Sequence, residues 1–255
     1  MIRVGLIGYG RAGSAVAEVL RTDPRFELCW VLRQSTTEVN QVIPGTTIPV
    51  VGMHWADFGD WLNRFPVDAV VDFSVPEAIV QYGSHIRTRG ITLVSAISAY
   101  NESQLSYAKE LGRMARVLCS PNITLGINFL IVAAKLLRHI APFADVEILE
   151  QHFREKTEVS GTAKKIAASL EVHADKIVSM RLGGIVGHHE VIFGFPYQTV
   201  RLTHDSIRRE AFGTGVAFAL SELSASECGF YTFEDLLLAK MRAQILSDAP
   251  AQNTL

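Results

Sequence analysis

Ile2-Arg3-Val4-Gly5-Leu6-Ile7-Gly8-Tyr9-Gly10-Arg11-Ala12-Gly13, running into Ser14-Ala15-Val16-Ala17-Glu18-Val19-Leu20, decides the fold. Ile2–Ile7 is a short apolar run that reads as a buried strand. Residues 14–21 place Ala15, Val16, Val19 and Leu20 close to the i, i+3, i+4 spacing of a helix packed on that strand's sheet. Between them, Gly8, Gly10 and Gly13 form G-x-G-x-x-G, a weak motif alone but credible between a strand and a helix. One glycine permits the tight turn, one lets the backbone approach a pyrophosphate, and one allows close helix packing. The helix N-terminus adds amides and a positive dipole. Gly8, Tyr9, Gly10, Arg11, Ala12 and Gly13 are therefore a candidate dinucleotide cradle, with Arg11 adding charge near the phosphates; the bland alternative is a plain glycine turn.

Outward from this unit, runs at 28–32, 48–51, 69–73, 91–94 and 117–118 read as further strands, with helical segments such as 103–114 between them. That is the pattern of an α/β protein with a Rossmann-type, doubly wound parallel sheet. After about Pro121 the texture changes. A long apolar helix at 127–140 precedes runs at 146–149, 177–181, 190–193 and 198–202 that alternate like an antiparallel sheet, and 206–223 and 233–246 are helical again. The expected division is residues 1–122 as a dinucleotide-binding domain, 230–255 returning to it, and 123–229 as a second α+β domain with a mixed or antiparallel sheet.

The chain has 255 residues, 48% of them hydrophobic and 20% charged, which excludes disordered and fibrous classes. Lys and Arg number 24 against 26 Asp and Glu, so the formal charge of -2 provides no field for a phosphate backbone, and no nucleic-acid partner is expected. Cys29, Cys119 and Cys228 are odd in number and widely spaced, which reads as buried thiols in a reducing compartment rather than a zinc or redox site. With no signal-peptide pattern and no apolar run of roughly 18 residues, a cytoplasmic location without membrane association is expected.

An Asp or Glu at the end of the second strand would bind the ribose 2′-hydroxyl of NAD. Here the place reads Leu32-Arg33-Gln34-Ser35-Thr36, and an arginine with nearby hydroxyls suits the 2′-phosphate of NADP. NADPH is the favoured cofactor and NADH a possible one; the bland reading of Arg33 is a solvated loop charge.

The segment Glu150-Gln151-His152-Phe153-Arg154-Glu155-Lys156-Thr157-Glu158-Val159-Ser160-Gly161-Thr162-Ala163 carries the second set of candidates. A strand ends in His and Lys, and a helix opens on Ser-Gly-Thr. Ser160 and Thr162 are cap-type residues, and the first amides of the helix at 163–170 would bind a carboxylate as readily as a phosphate. Lys156 and Arg154 add cationic donors, and His152 is suited to proton transfer near neutral pH. A surface strand followed by a capped helix is the bland alternative.

This segment, with Asp72-Phe73-Ser74-Val75-Pro76-Glu77, Ser120-Pro121-Asn122-Ile123-Thr124-Leu125-Gly126-Ile127-Asn128, Gly184-Ile185-Val186-Gly187-His188-His189-Glu190-Val191 and Leu202-Thr203-His204 with Arg208 beyond, resembles the 4-hydroxy-tetrahydrodipicolinate reductase family of the diaminopimelate and lysine pathway. The resemblance runs nearly the whole chain. It implies a substrate-binding and oligomerisation role for 123–229, a homotetramer assembled through its sheet, and reduction of a cyclic, unsaturated imine dicarboxylate with NADPH or NADH. It also implies that His152 is the general acid, that Lys156 assists and binds a carboxylate, and that Arg154, Ser160, Gly161 and Thr162 complete the substrate site. The cofactor site extends to Phe73, Ser74, Ser95, Ala96, Ser120 and Asn122.

The chain departs from the family pattern E-x-H-H-R-x-K-x-D-x-P-S-G-T-A in three ways. Phe153 replaces the second histidine, Glu158 replaces the aspartate, and the loop before Ser160 is one residue shorter. Ser95-Ala96-Ile97-Ser98 also stands where the family carries G-T-T-G, which should narrow or reshape that wall. Three readings remain open: the standard reductase, a reductase of a different imine or related small molecule, and a non-catalytic dinucleotide-binding assembly protein. His188 and His189, adjacent in a strand, should face opposite ways, so no metal site is expected. Phe193, Phe195 and Tyr197 read as a sheet face at a subunit interface. Asn128 either borders the cleft or caps a helix end; His204 and Arg208 have substrate or subunit contacts as open roles.

Overall fold

The computed structural model describes residues 1–33, 41–52 and 54–248, and these divide into two compact units. The first comprises 1–123 with the chain from 212 onward, the second 124–211.

In the first unit, β1 (Ile2–Ile7), β2 (Phe26–Arg33), β3 (Gln41–Val42), β4 (Pro49–Gly52), β5 (Ala69–Asp72), β6 (Thr92–Ser95), β7 (Arg116–Cys119) and β12 (Gly229–Tyr231) form one sheet, ordered β12-β7-β6-β5-β1-β2-β4-β3. All neighbours are parallel except β3 and β4. The helices are α1 (Arg11–Thr22), α2 (Phe58–Arg64), α3 (Ala78–Arg89), α4 (Glu102–Leu111), most of α7 (Glu210–Ser224), and α8 (Phe233–Asp248). β5 and β6 are buried along their whole length, as expected of parallel strands covered on both faces, and this explains their near-continuous apolar runs. The strand order reverses between β1 and β5, so the crevice outside their carboxyl ends is the topological switch point.

The chain re-enters the first unit at Phe212, earlier than the position 230 read from the sequence. The reason is packing. Gly213 lies so close to α1 that a Cβ would come within 2.5 Å of Val19 Cβ, and α7 buries Val216, Ala217, Leu220 and Leu223. β12 then extends the sheet beside β7, and Phe233 of α8 stacks on Phe218.

The second unit holds α5 (Leu125–Ile140), β8 (Asp145–His152), α6 (Gly161–Ser169), β9 (Ile177–Arg181), β10 (His188–Phe195) and β11 (Gln198–Asp205), with sheet order β11-β10-β8-β9. The sheet is mixed. β8 and β9 run parallel because α6 connects them as a crossover, whereas β10 pairs antiparallel with both β8 and β11. Ile127, Leu130 and Ile131 of α5 meet Val146 and Ile148 of β8 and Ile166 of α6 in one apolar core. Phe193 is buried in that core and Phe195 packs against it, which corrects the reading of these residues as a subunit-interface face. Tyr197 alone of the three is exposed, at the β10–β11 turn. The thiols are likewise less hidden than expected: Cys29 and Cys119 are half-buried and Cys228 is exposed.

Two glycines of the β1–α1 turn differ sharply in their surroundings. Gly8 has φ +94°, and a Cβ there would lie 2.6 Å from the Phe73 carbonyl, whereas a Cβ at Gly10 meets nothing within 4 Å. Gly8→Ala should therefore destabilise the first unit by about 2 kcal/mol or more, and Gly10→Ala by about 1 kcal/mol or less. Chemical denaturation followed by tryptophan fluorescence checks this, since Trp30, Trp55 and Trp61 all lie in the first unit. Equal losses would contradict the packing account.

Candidate active site

In the first unit the glycine turn closes β1 and opens α1, with Gly10 at the helix N-cap and no side-chain cap on its first amides. No acidic residue occupies the first turn of α1, so those amides and the helix dipole face outward without a competing carboxylate. A Cβ at Gly13 would lie 2.0 Å from the Gly8 carbonyl oxygen, so the turn closes only with glycine there. Tyr9 and Ala12 are half-buried and Arg11 is exposed on the same turn. Across the switch-point crevice, Phe73 and Ser74 follow β5. Asp72 is buried beneath them and accepts from Ser74 N (2.8 Å), Ser74 Oγ (2.5 Å) and Tyr82 Oη (2.6 Å), which fixes the β5–α3 turn.

A concavity beside the turn is lined by Gly8, Leu32, Arg33, Ser74, Glu77 and Gln81 among others. Arg33 ends β2 on this wall and donates through Nη2 to Gln41 Oε1 at 3.5 Å. Gln34, Ser35 and Thr36 lie outside the described residues. Ser95 ends β6 with its side chain turned inward, bonded to Tyr100 Oη at 2.8 Å, so only its backbone and the half-buried Ala96 face the strand ends. Ser120 Oγ donates to the Asn122 carbonyl at 2.7 Å and so shapes the turn after β7. The described residues thus fit a dinucleotide: open amides, a backbone-only approach at Gly8 and Gly13, and a cation at the end of β2.

The second unit carries a polar row across its sheet. Strand register aligns His204 of β11, His189 of β10, Glu150 of β8 and Ser179 of β9, and the next row aligns His152 with Arg181. Alternation along β8 puts Glu150 and His152 on the face covered by α6, beyond the apolar Val146 and Ile148. Glu150, 0% exposed in its side chain, is the hub of this row. Oε1 accepts from Arg181 Nη2 (2.8 Å), Ser179 Oγ (2.7 Å) and Ser160 N (3.2 Å), while Oε2 accepts from Arg181 Nη1 (3.0 Å) and pairs with His152 Nδ1. Burial alone would raise the Glu150 pKa, but Arg181, Ser179, His152 and the Ser160 amide together bring it down to about 2. An ionised carboxylate only accepts, so His152 Nδ1 carries the proton of that bond. Nε2 then points toward Gly187, where a Cβ would lie 3.2 Å away, and has no partner among the described residues.

Arg181 also donates from Nε to the Lys156 carbonyl (2.7 Å) and from Nη2 to the Glu158 carbonyl (2.8 Å), so the same guanidinium anchors the loop after β8. Lys156 is half-buried and Arg154 exposed, and neither has a carboxylate partner among the described residues. Ser160 is the N-cap of α6, accepting from Ala163 N at 3.4 Å; Thr162 is the second helical residue, not a cap. Gly161 opens to free space. His189 Nε2 meets Ser160 Oγ at 2.8 Å, and the His189 ring stands edge-on to His152 with centroids 5.3 Å apart. Burial pushes the His189 pKa down to about 4. Phe153 is 41% exposed beside this cluster in sequence.

Sequence reading assigned no role to Glu150, Ser179, Arg181 or His189. Only the two-residue spacing of Glu150 and His152 could have placed those two on one face. His188 bonds Asp205 on the opposite face from His189, at 2.7 Å. Asn128 Nδ2 donates to the Thr124 carbonyl (2.8 Å), the helix-end role, and Arg208 pairs with Glu210.

Comparison with known proteins places this geometry in a family. Residues 2–123 match the family described as dihydrodipicolinate reductase, N-terminus, and 123–237 that described as dihydrodipicolinate reductase, C-terminus. Two proteins named 4-hydroxy-tetrahydrodipicolinate reductase are similar along most of their length. One, from Caldanaerobacter subterraneus subsp. tengcongensis, is 30% identical over 93% of this chain and 98% of its own; the other, from Thermosipho africanus, is 32% identical over 92% and 98%. A dipicolinate-bound dihydrodipicolinate reductase from Paenisporosarcina sp. TG-14 shares the fold, with a TM-score of 0.78 at 22% identity over 91% of this chain and 97% of its own. The chain belongs to the dihydrodipicolinate reductase family, whose members are NAD(P)H-dependent oxidoreductases. Among the described residues no helix is long and apolar enough to cross a membrane.

The buried groups make the second unit acid-sensitive. Between their ordinary and folded values, 4.5 to about 2 for Glu150 and 6.5 to about 4 for His189, the unfolded chain binds protons that the folded state does not. Stability is therefore full above about pH 6.5 and declines as pH falls through both windows. Calorimetry at descending pH should show the transition not followed by tryptophan fluorescence moving down first. A midpoint unchanged between pH 7 and pH 4 would contradict this.

Proposed function

We propose that this chain reduces 4-hydroxy-tetrahydrodipicolinate to tetrahydrodipicolinate, with the first unit holding the dinucleotide and the second the dicarboxylate. The observation that carries the reading is the Glu150-bound imidazole of His152 at the end of β8, followed in the chain by Lys156, which has no carboxylate partner among the described residues, and by the N-terminus of α6 at Gly161, in a chain of this family. The 4-hydroxyl of the substrate leaves as water to give the conjugated imine, and the reduced nicotinamide, when bound, would supply a hydride to its electron-poor carbon. His152 gives the proton its neighbouring atom needs, from Nε2, and regains it from solvent. Lys156 and Arg154 hold one carboxylate, and the Ser160-Gly161-Thr162 turn at the N-terminus of α6 holds the other.

Gly8, Tyr9, Gly10, Arg11, Ala12 and Gly13 take the pyrophosphate, with Phe73, Ser74, Ser95, Ala96, Ser120 and Asn122 lining the strand ends. Arg33 favours NADPH by pairing with the 2′-phosphate, while Glu77 on the same lining admits the unphosphorylated ribose of NADH. The protein assembles as a homotetramer through the outer face of the second sheet, where Val178 and Met180 stand exposed, and its free cysteines suit the cytoplasm. The exposed Phe153 ring favours a second reading, in which the same fold and cofactor reduce a less polar imine.

Following NADPH oxidation with freshly generated 4-hydroxy-tetrahydrodipicolinate tests the substrate. Turnover should appear and fall on the order of 10²-fold in Lys156→Ala, with NADPH affinity nearly unchanged. NADPH binding without turnover would reject this substrate and turn the search to other cyclic imines. For the cofactor, Arg33→Asp should lower the NADPH-to-NADH preference by about tenfold or more. An unchanged ratio would remove Arg33 from the ribose site.

A further inference from the structure

Two placements in the second unit are left unexplained by substrate binding alone. A carboxylate with no exposed side-chain surface sits two residues before the proposed proton donor, and a single guanidinium spans both that carboxylate and the loop carrying Lys156. We propose that the Glu150–Arg181 pair is the positioning device of the site: Glu150 fixes the His152 ring through Nδ1, and Arg181 fixes the backbone that presents Lys156. The inference rests on the reading of His152 as proton donor.

Three observations carry it. First, the bond is one-directional. Glu150 is ionised, so it accepts the Nδ1 proton, which holds the ring in one orientation with Nε2 as the working nitrogen. Second, Glu150 itself cannot turn. Both of its oxygens are engaged by the Arg181 fork, and Ser179 Oγ and the Ser160 amide complete Oε1. Third, space is left only where the ring must act. The turn leading into β10 presents Gly187 opposite Nε2, where any Cβ would lie 3.2 Å from that nitrogen. His189 closes the other side of the ring edge-on and is itself held by Ser160 Oγ. A purely structural ion pair would not explain this arrangement, because buried pairs add little stability over apolar replacements of similar volume.

The consequence is a division of labour. Glu150 and Arg181 touch neither substrate nor cofactor; they act through His152 and Lys156. Glu150→Gln should therefore lower kcat by about 10²-fold or more, since a neutral amide no longer enforces the Nδ1–H form, while KM and NADPH affinity stay within about threefold. Because that substitution leaves Arg181 buried without its partner, the double variant Glu150→Gln with Arg181→Met removes both charges and keeps the test available if the single variant fails to fold.

A readout independent of turnover is the proton NMR signal of His152 Nδ1–H in the full-length protein, assigned by its loss in His152→Gln. It should be downfield and protected from exchange in the unaltered protein, and should move upfield or vanish in Glu150→Gln and in the double variant. Normal kcat in either folded variant, or a resonance unchanged by loss of Glu150, overturns the proposal. Absence of the protected resonance from the unaltered protein overturns it too. Failure of the unaltered enzyme to turn over 4-hydroxy-tetrahydrodipicolinate would count against the substrate reading alone, because the resonance tests the positioning pair without it.

Discussion

The ion pair between Glu150 and Arg181 is the constraint on which the second unit's site depends. A carboxylate with no water contact is tolerated only if its lone pairs are filled and its charge is met. Here a bidentate guanidinium meets the charge, and a serine hydroxyl, a backbone amide and an imidazole fill the remaining positions. Those donors come from three different pieces of the second unit. Arg181 and Ser179 come from β9, the amide from the N-cap of α6, and the imidazole from the end of β8. Satisfying one buried charge therefore fixes the relative placement of His152, the Ser160 turn and the loop that carries Lys156. Removing either partner alone would leave an uncompensated charge, at a cost of about 3–5 kcal/mol.

Both units present a helix N-terminus just beyond the end of a strand. In the first, β1 ends in a glycine turn that delivers the N-terminus of α1 to the edge of a parallel sheet. In the second, β8 ends in a loop that delivers the N-terminus of α6, and β9 then pairs parallel with β8. A strand–helix–strand crossover always carries free amides to the carboxyl end of its first strand. The two turns are specialised by what surrounds them. Glycines clear the first for close backbone approach, whereas Ser160 caps the second, with Lys156 and Arg154 in the loop before it.

The doubly wound unit was legible because hydrophobic periodicity and the glycine spacing are local properties of the chain. So was the composition of the 152–163 segment, where Ser160 stands at a helix start and Lys156 near a strand end. What was not legible is cross-strand register. Glu150, Ser179, Arg181 and His189 are far apart in sequence and meet only because β8, β9 and β10 align at those residues. The same limit explains the aromatic misreading: alternation shows that Phe193 and Phe195 share a face, but only the position of α5 and α6 shows that it is the inner one. The return at Phe212 escaped notice because nothing in an apolar helix names its partner, and it took Gly213 against Val19 to show that α7 packs on α1.

The exposed ring of Phe153 leaves the Glu150 network intact, since none of the hydrogen bonds of Glu150 passes through it. The central claim is that Arg181 and its companions keep a fully buried carboxylate ionised. The most direct measurement is a carbon NMR titration of the Glu150 side-chain carboxyl in protein carrying labelled glutamate, assigned with Glu150→Gln. The account predicts a carboxyl that remains ionised down to about pH 3.5, in keeping with a pKa of about 2. A midpoint at or above the ordinary 4.5 would show that burial outweighs the guanidinium and would contradict the account.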